Sequence, residues 1–267
     1  MFARKYTTAI DLSGRTQFVP TFKECNFMLL RLFTGGFDLV MWLITAFCVL
    51  LCLTVHEVAH GLAAYKLGDD TAKRMGRLTL NPIPHIDPAG GLMMLLTEFG
   101  WAKPVPVNAR NFTRKINMRT GMAITAFAGP FSNLIFALVA VVVMFILRNF
   151  GVIDFVVRGG RFYTTIGESQ PIFTMLFVLI SLNIGLALFN LIPIPPLDGS
   201  WIMSAVLPYR LSEKYSRIFA GNRMMARFSV LILFGLIVWT PFGGFLMLVR
   251  EQILAFLVWL VQLIPFF

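Results

Sequence analysis

The stretch LVMWLITAFCVLLCLTV, residues 39–55, carries no charge and runs straight into His56-Glu57-Val58-Ala59-His60. Continued as helix toward Lys66, it is long enough to cross a bilayer, whose hydrocarbon core takes about 20 residues of α-helix. On a helix, positions i and i+4 share a face, so His56 and His60 can reach one ion. Imidazoles suit zinc, and a site with three protein ligands keeps a position for water. Glu57, one residue along, is placed to take a proton from water as it attacks a carbonyl. Ionisable groups at membrane depth are costly, and they mark function by default.

The rest of the chain agrees with a membrane protein. Of 267 residues, 57% are hydrophobic and 13% charged, with mean hydropathy +0.77. A soluble domain is about a quarter charged. Disorder, collagen-like repeats and a small disulfide scaffold are excluded. Cys25, Cys48 and Cys52 make no disulfide framework, and the last two, inside the first apolar run, read as small core residues.

Further spans are expected over residues 120–147, with Gly129-Pro130 and Asn133 inside, over 171–191, with Asn183 and Asn190 inside, and over 228–249. Residues 253–267 are apolar but short, which favours an interfacial segment. Pro241-Phe242-Gly243-Gly244 could instead divide the C-terminal part into a helical hairpin. Residues 81–107, rich in Pro and Gly around a short apolar insert, suggest a re-entrant or interfacial hairpin. Residues 1–37 mix charge, Gly and Thr, which predicts an extramembrane or interfacial segment without a cleavable leader. The fold class expected is an all-α polytopic membrane protein with about four transmembrane helices and a hairpin after the first.

The net charge of +10 sits between the apolar runs and comes with no nucleic-acid recognition motif, so nucleic acid is not an expected partner. Lys and Arg number 14 in the first and third loops against 9 elsewhere. The positive-inside bias therefore puts those loops in the cytoplasm and both termini outside.

Zinc needs a third ligand, and His85, Asp87, Glu98 and Asp198 lie near membrane ends. Asp198 is the strongest. It follows Pro193-Ile194-Pro195-Pro196-Leu197, where a broken helix end lets a carboxylate turn into the bundle. His60 and Asp198 both fall at the cytoplasmic ends of their spans, so they can share a depth.

HEVAH in a first span and NLIPIPPLDG (residues 190–199) at the end of a later one resemble the site-2 protease family of intramembrane zinc metalloproteases. GWAKPVPVN (100–108) and AGPFSN (128–133) add to the likeness. The resemblance implies zinc bound by His56, His60 and Asp198, with Glu57 as general base. It implies substrate or oxyanion contact at Asn133 and a hold on unwound substrate at Asn190. It also implies a membrane-embedded β-hairpin over residues 91–107, whose edge pairs with an extended substrate. The chain is similar to compact bacterial members without PDZ or CBS domains.

The domain layout expected is an N-terminal segment 1–37, a metalloprotease core 38–249 and a C-terminal interfacial helix 250–267. The function expected is Zn2+-dependent cleavage of single-span membrane proteins in or near the bilayer of a bacterial cytoplasmic membrane, with the active site toward the cytoplasmic face. Oligomeric state is not legible. A membrane metal-binding or transport protein, or a pseudoprotease that binds membrane segments without cutting, uses the same residues differently. The lack of an inverted repeat weighs against transport, and three His are too few for a di-iron oxidase.

Overall fold

The computed structural model describes residues 38–97, 100–113, 116–158, 161–163, 171–220, 235 and 240–264. Helix α1 (Leu39–Lys66) starts at Asp38, whose carboxylate accepts the Met41 N–H at 3.0 Å, and ends before Gly68, which takes φ +108°. After a short helix α2 (Thr71–Arg74) and a 3-10 turn at Ile83–His85 comes α3 (Pro88–Thr97). Helix α4 (Met118–Asn149) is capped by Asn117, which accepts the Thr120 N–H at 2.7 Å, and keeps Pro130 inside it. An antiparallel pair, β1 (Val156–Arg158) and β2 (Arg161–Tyr163), leads toward α5 (Pro171–Asn190). Helices α6 (Asp198–Val206), α7 (Tyr209–Ala220) and α8 (Pro241–Gln262) follow.

Four helices, α1, α4, α5 and α8, are long and apolar enough to cross a membrane. Their inner faces share one core. Cys48 and Cys52 of α1 meet Ala137, Ala140 and Met144 of α4, with Ile180 and Ile184 of α5 and Val258 of α8. Small residues on α4 let backbones approach closely, as membrane helices require when burial of apolar surface gives no net drive. The outer faces expose Leu43, Phe47, Phe131, Ile135 and Val139, as a lipid-facing surface does. Cys48 and Cys52 are free and buried, as their setting implied.

Two expectations change. The segment after α1 is not a β-hairpin among the described residues: Pro88–Thr97 is helical, and strand pairing shrinks to one antiparallel bridge, Ile86↔Ala102. Pro and Gly there do not break a helix but start one. Asp87 accepts the Gly90 N–H at 2.8 Å, and Pro88 stands in the first turn, where its missing N–H costs nothing. The ribbon that does form among the described residues lies instead between α4 and α5, in a protein that is mostly helical. Phe155 and Phe162 flank that ribbon's core side and pack edge-on at 5.3 Å.

The last apolar helix is also displaced. It begins at Pro241, and residues 250–262 are its second half, not a separate element. Of the expected span 228–249, residues 228–234 and 236–239 lie outside the described residues, as do residues 1–37.

Candidate metal centre

The site is assembled from three helices. His56 and His60 stand one turn apart on α1, with ring centroids 4.5 Å apart and planes at 89°. Their Nε2 atoms are 3.0 Å from each other. Asp198 is the first residue of α6, after a proline-broken turn in which Leu197 N–H bonds to Ile194 O at 3.0 Å. Its Oδ2 lies 3.1 Å from His56 Nε2 and 3.3 Å from His60 Nε2. Gly199 permits this turn, since a Cβ there would sit 2.5 Å from the Leu191 carbonyl carbon and 2.6 Å from Ile192 O. Those contacts are below any real van der Waals separation, so only glycine fits.

The far side of each imidazole decides the chemistry. His60 Nδ1 is 2.7 Å from the Thr125 carbonyl oxygen, which can only accept. His56 Nδ1 is 2.7 Å from Asn133 Oδ1, also an acceptor. Both Nδ1 atoms therefore carry a proton, so that in the neutral form of each ring Nε2 presents a lone pair. Two nitrogen lone pairs and a carboxylate oxygen then converge with no hydrogen between them. Asp198 Oδ2 is a buried atom without a hydrogen-bond partner. Such a cluster calls for a cation.

The donor set fits zinc. His56, His60 and Asp198 are the His/Cys/Asp/Glu group among the described residues whose ligand atoms lie within 4.8 Å of one another. Zinc bonds of about 2.0–2.1 Å in tetrahedral geometry place ligand atoms about 3.3 Å apart, and the observed separations are 3.0, 3.1 and 3.3 Å. Each imidazole also donates its other N–H to an oxygen, as metal-ligating histidines do.

Glu57 is held separately. Its Oε2 accepts the Val105 N–H at 2.7 Å, from the segment after α3. That segment is pinned in turn: Lys103 N–H bonds to His85 O at 2.8 Å, and the buried Arg77 donates Nη2 to Lys103 O at 2.6 Å.

The other sequence candidates sit elsewhere. His85 is buried with Nε2 at 2.9 Å from Thr79 O, Asp87 caps α3, and Glu98 is outside the described residues. Among the described residues, the Asn190 side chain bonds within its own helix, Nδ2 to Leu186 O at 3.0 Å, and makes no hydrogen bond to the cluster. Asn133 is not presented to solvent: it is 0% exposed, with its oxygen on His56 and its Nδ2 2.7 Å from Asn183 Oδ1.

Gly129 is a site residue that sequence reading did not single out. A Cβ at this position would sit 2.5 Å from His60 Nε2 and 2.7 Å from His56 Cε1. Helix α4 can approach both rings only because this residue has no side chain. The signal was present, since Gly129 stands beside Pro130 within AGPFSN, but its partner could not be read.

The family described as peptidase family M50 matches residues 44–236. A relative from Bacillus subtilis (strain 168), named "Putative zinc metalloprotease YwhC", is 40% identical over 179 residues, covering 67% of this chain and 73% of its own length. No solved structure matches the chain.

Proposed function

The chain belongs to peptidase family M50 and is a zinc-dependent membrane metalloprotease, and from that premise we propose that it cuts single-span membrane proteins in or near the bilayer. The roles proposed are His56, His60 and Asp198 as metal ligands and Glu57 as general base. The observation that carries them is the convergence of two imidazole lone pairs and a carboxylate oxygen within 3.0–3.3 Å.

Zinc held there supplies a Lewis acid that polarises a carbonyl and makes water nucleophilic near neutral pH. Glu57 takes the proton of the attacking water and returns it to the departing amine. The Val105 N–H engages one oxygen of Glu57, which fixes the carboxylate and leaves the other for the proton. His60 and His56 keep their Nδ1 protons on Thr125 and Asn133, so their Nε2 lone pairs stay on the metal side.

A membrane-spanning substrate is helical, and its peptide bonds are locked in their own hydrogen bonds. Cutting requires local unwinding, which favours Gly, Pro or Asn near the cut. Residues 100–108, tied to Glu57 through Val105, are the path along which an unwound segment would lie. Asn190, at the end of α5, is proposed to hold such a segment. The charge bias between loops supports a site open to the cytoplasmic face, with both termini outside, and the relative's organism supports a bacterial membrane.

The test uses Glu57→Gln as a trap. It removes the base while leaving the three ligands, so zinc content should match wild type and cleavage should fall by about 10²–10⁴-fold. Full-length single-span proteins should co-purify with the trap and appear shortened in wild-type cells. A purified wild-type enzyme that cuts soluble unfolded peptides but no membrane segment would overturn the substrate assignment.

A further inference from the structure

Two asparagines lie mid-span, Asn133 on α4 and Asn183 on α5, and both are 0% exposed. A buried amide in apolar surroundings must satisfy both its oxygen and its NH2 group, or cost stability. Here the two amides satisfy each other in a directed chain. Asn183 Nδ2 donates to Leu179 O at 2.9 Å. Asn183 Oδ1 accepts from Asn133 Nδ2 at 2.7 Å. Asn133 Oδ1 faces His56 Nδ1 at 2.7 Å.

The direction of this chain is not free. Leu179 O is a backbone carbonyl and can only accept, so Asn183 must turn its NH2 toward it and its oxygen toward Asn133. Asn133 must then donate, which is reinforced by Cys52 O at 3.4 Å, and it shows its oxygen to His56. Were Asn133 reversed, its NH2 would face Nδ1, the ring proton would move to Nε2, and a hydrogen would point into the metal position.

We infer that Asn183 is a positioning residue for the metal centre, acting through Asn133 to hold the His56 imidazole with its proton on Nδ1 and its lone pair on Nε2. The inference rests on His56 being a metal ligand. It replaces a substrate contact for Asn133 with an orienting role, and it gives a function to a second asparagine that touches neither metal nor substrate. The relay is built across three helices, so the tautomer of a residue on α1 is fixed by a backbone carbonyl of α5.

The test is a rescue, read as zinc retention by the full chain in detergent under a graded chelator. Asn183→Leu removes the acceptor that orients Asn133 and should weaken zinc binding by about 10–100-fold, the usual cost of losing a group that orients a ligand. Asn133→Asp needs no orientation, because a carboxylate offers an acceptor at either oxygen. The double variant Asn133→Asp/Asn183→Leu should therefore regain zinc, which a packing role for Asn183 would not allow. Zinc retained by Asn183→Leu, or lost equally in the double variant, overturns the relay. Zinc retained by His56→Ala overturns the ligand assignment, and the relay with it. Should Asn183→Leu not fold, the wild-type chain decides. With three histidines in the sequence, a 15N-histidine NMR spectrum of metal-stripped protein at pH 8 resolves each ring. The neutral Nδ1–H form at His56 is expected, and an Nε2–H form overturns the inference.

Discussion

Asp198 and Asp69 are both withdrawn from solvent, and their surroundings are opposite. Asp69, in the turn after α1, is wrapped by donors. Its Oδ1 accepts from Thr71 N–H at 3.1 Å, from the Thr71 hydroxyl at 2.5 Å and from Asn111 Nδ2 at 2.8 Å, and its Oδ2 accepts Asn108 N–H at 2.6 Å. Asp198 faces two imidazole nitrogens whose protons lie on the far side of the rings. A carboxylate surrounded by N–H and O–H groups is already complete and holds loops together. A carboxylate surrounded by lone pairs is incomplete until a cation arrives. Burial alone does not separate a structural acid from a metal ligand, but the sign of its neighbours does.

The comparison breaks most visibly at Asp198. Asp198→Ala should lose zinc and cut cleavage by about 10³-fold or more, since one of the three proposed ligands and its charge are gone. Metal analysis beside a cleavage assay on a membrane-segment substrate checks this, and full activity would return the third ligand to His85, Asp87 or Glu98. Asp69→Ala should do the reverse. It leaves the Thr71, Asn108 and Asn111 donors without their acceptor, at about 1 kcal/mol for each lost hydrogen bond, so the chain unfolds at lower temperature while zinc per folded chain stays unchanged. Loss of zinc from a folded Asp69→Ala protein would collapse the distinction.

Gly129→Ala sharpens the metal side. The added methyl must displace both imidazoles or push α4 away, an overpacking cost of about 1–3 kcal/mol. Zinc affinity should fall by about tenfold or more with helicity kept, and a wild-type zinc affinity would show that α4 yields without cost. The smallest effect is in pH. Burial disfavours ionised Asp69, but the donors from Thr71, Asn108 and Asn111 outweigh it and hold the carboxyl below its usual value. The folded group thus binds its proton less readily than the unfolded one, whose pKa is about 3.9. Its stabilisation is complete above about pH 5 and fades only as pH falls through the lowered folded value. The stability gap between wild type and Asp69→Asn should be flat from pH 5 to 8 and close in stronger acid. A gap that closes near pH 6 would contradict the donor cage.

How much of this could be read in advance follows from the range of each interaction. The His pair was legible because i and i+4 on one helix are neighbours whatever the rest of the chain does. Asp198 was legible as the best of four candidates, because a Pro-rich turn can aim a side chain inward. The turn's destination was not. Pro88 misled, since the same residue that ends a helix also begins one when an Asp caps it. The strand pair at Val156–Arg158 and Arg161–Tyr163 is too short to leave an alternating pattern.

The sequence by itself determined the membrane class, the first three apolar spans and the paired histidines, and it put Asp198 first among the acids that could stand beside them, because hydropathy and helical spacing act over a few turns. Only the tertiary structure decided that Gly129 lies against both rings, that Val105 holds Glu57, and that Asn133 faces His56 from 77 residues away. Those contacts cross between helices, and no local period encodes which faces meet. The packing of α4 and α5 against α1 chooses them, and with them the side of each imidazole on which its lone pair is left.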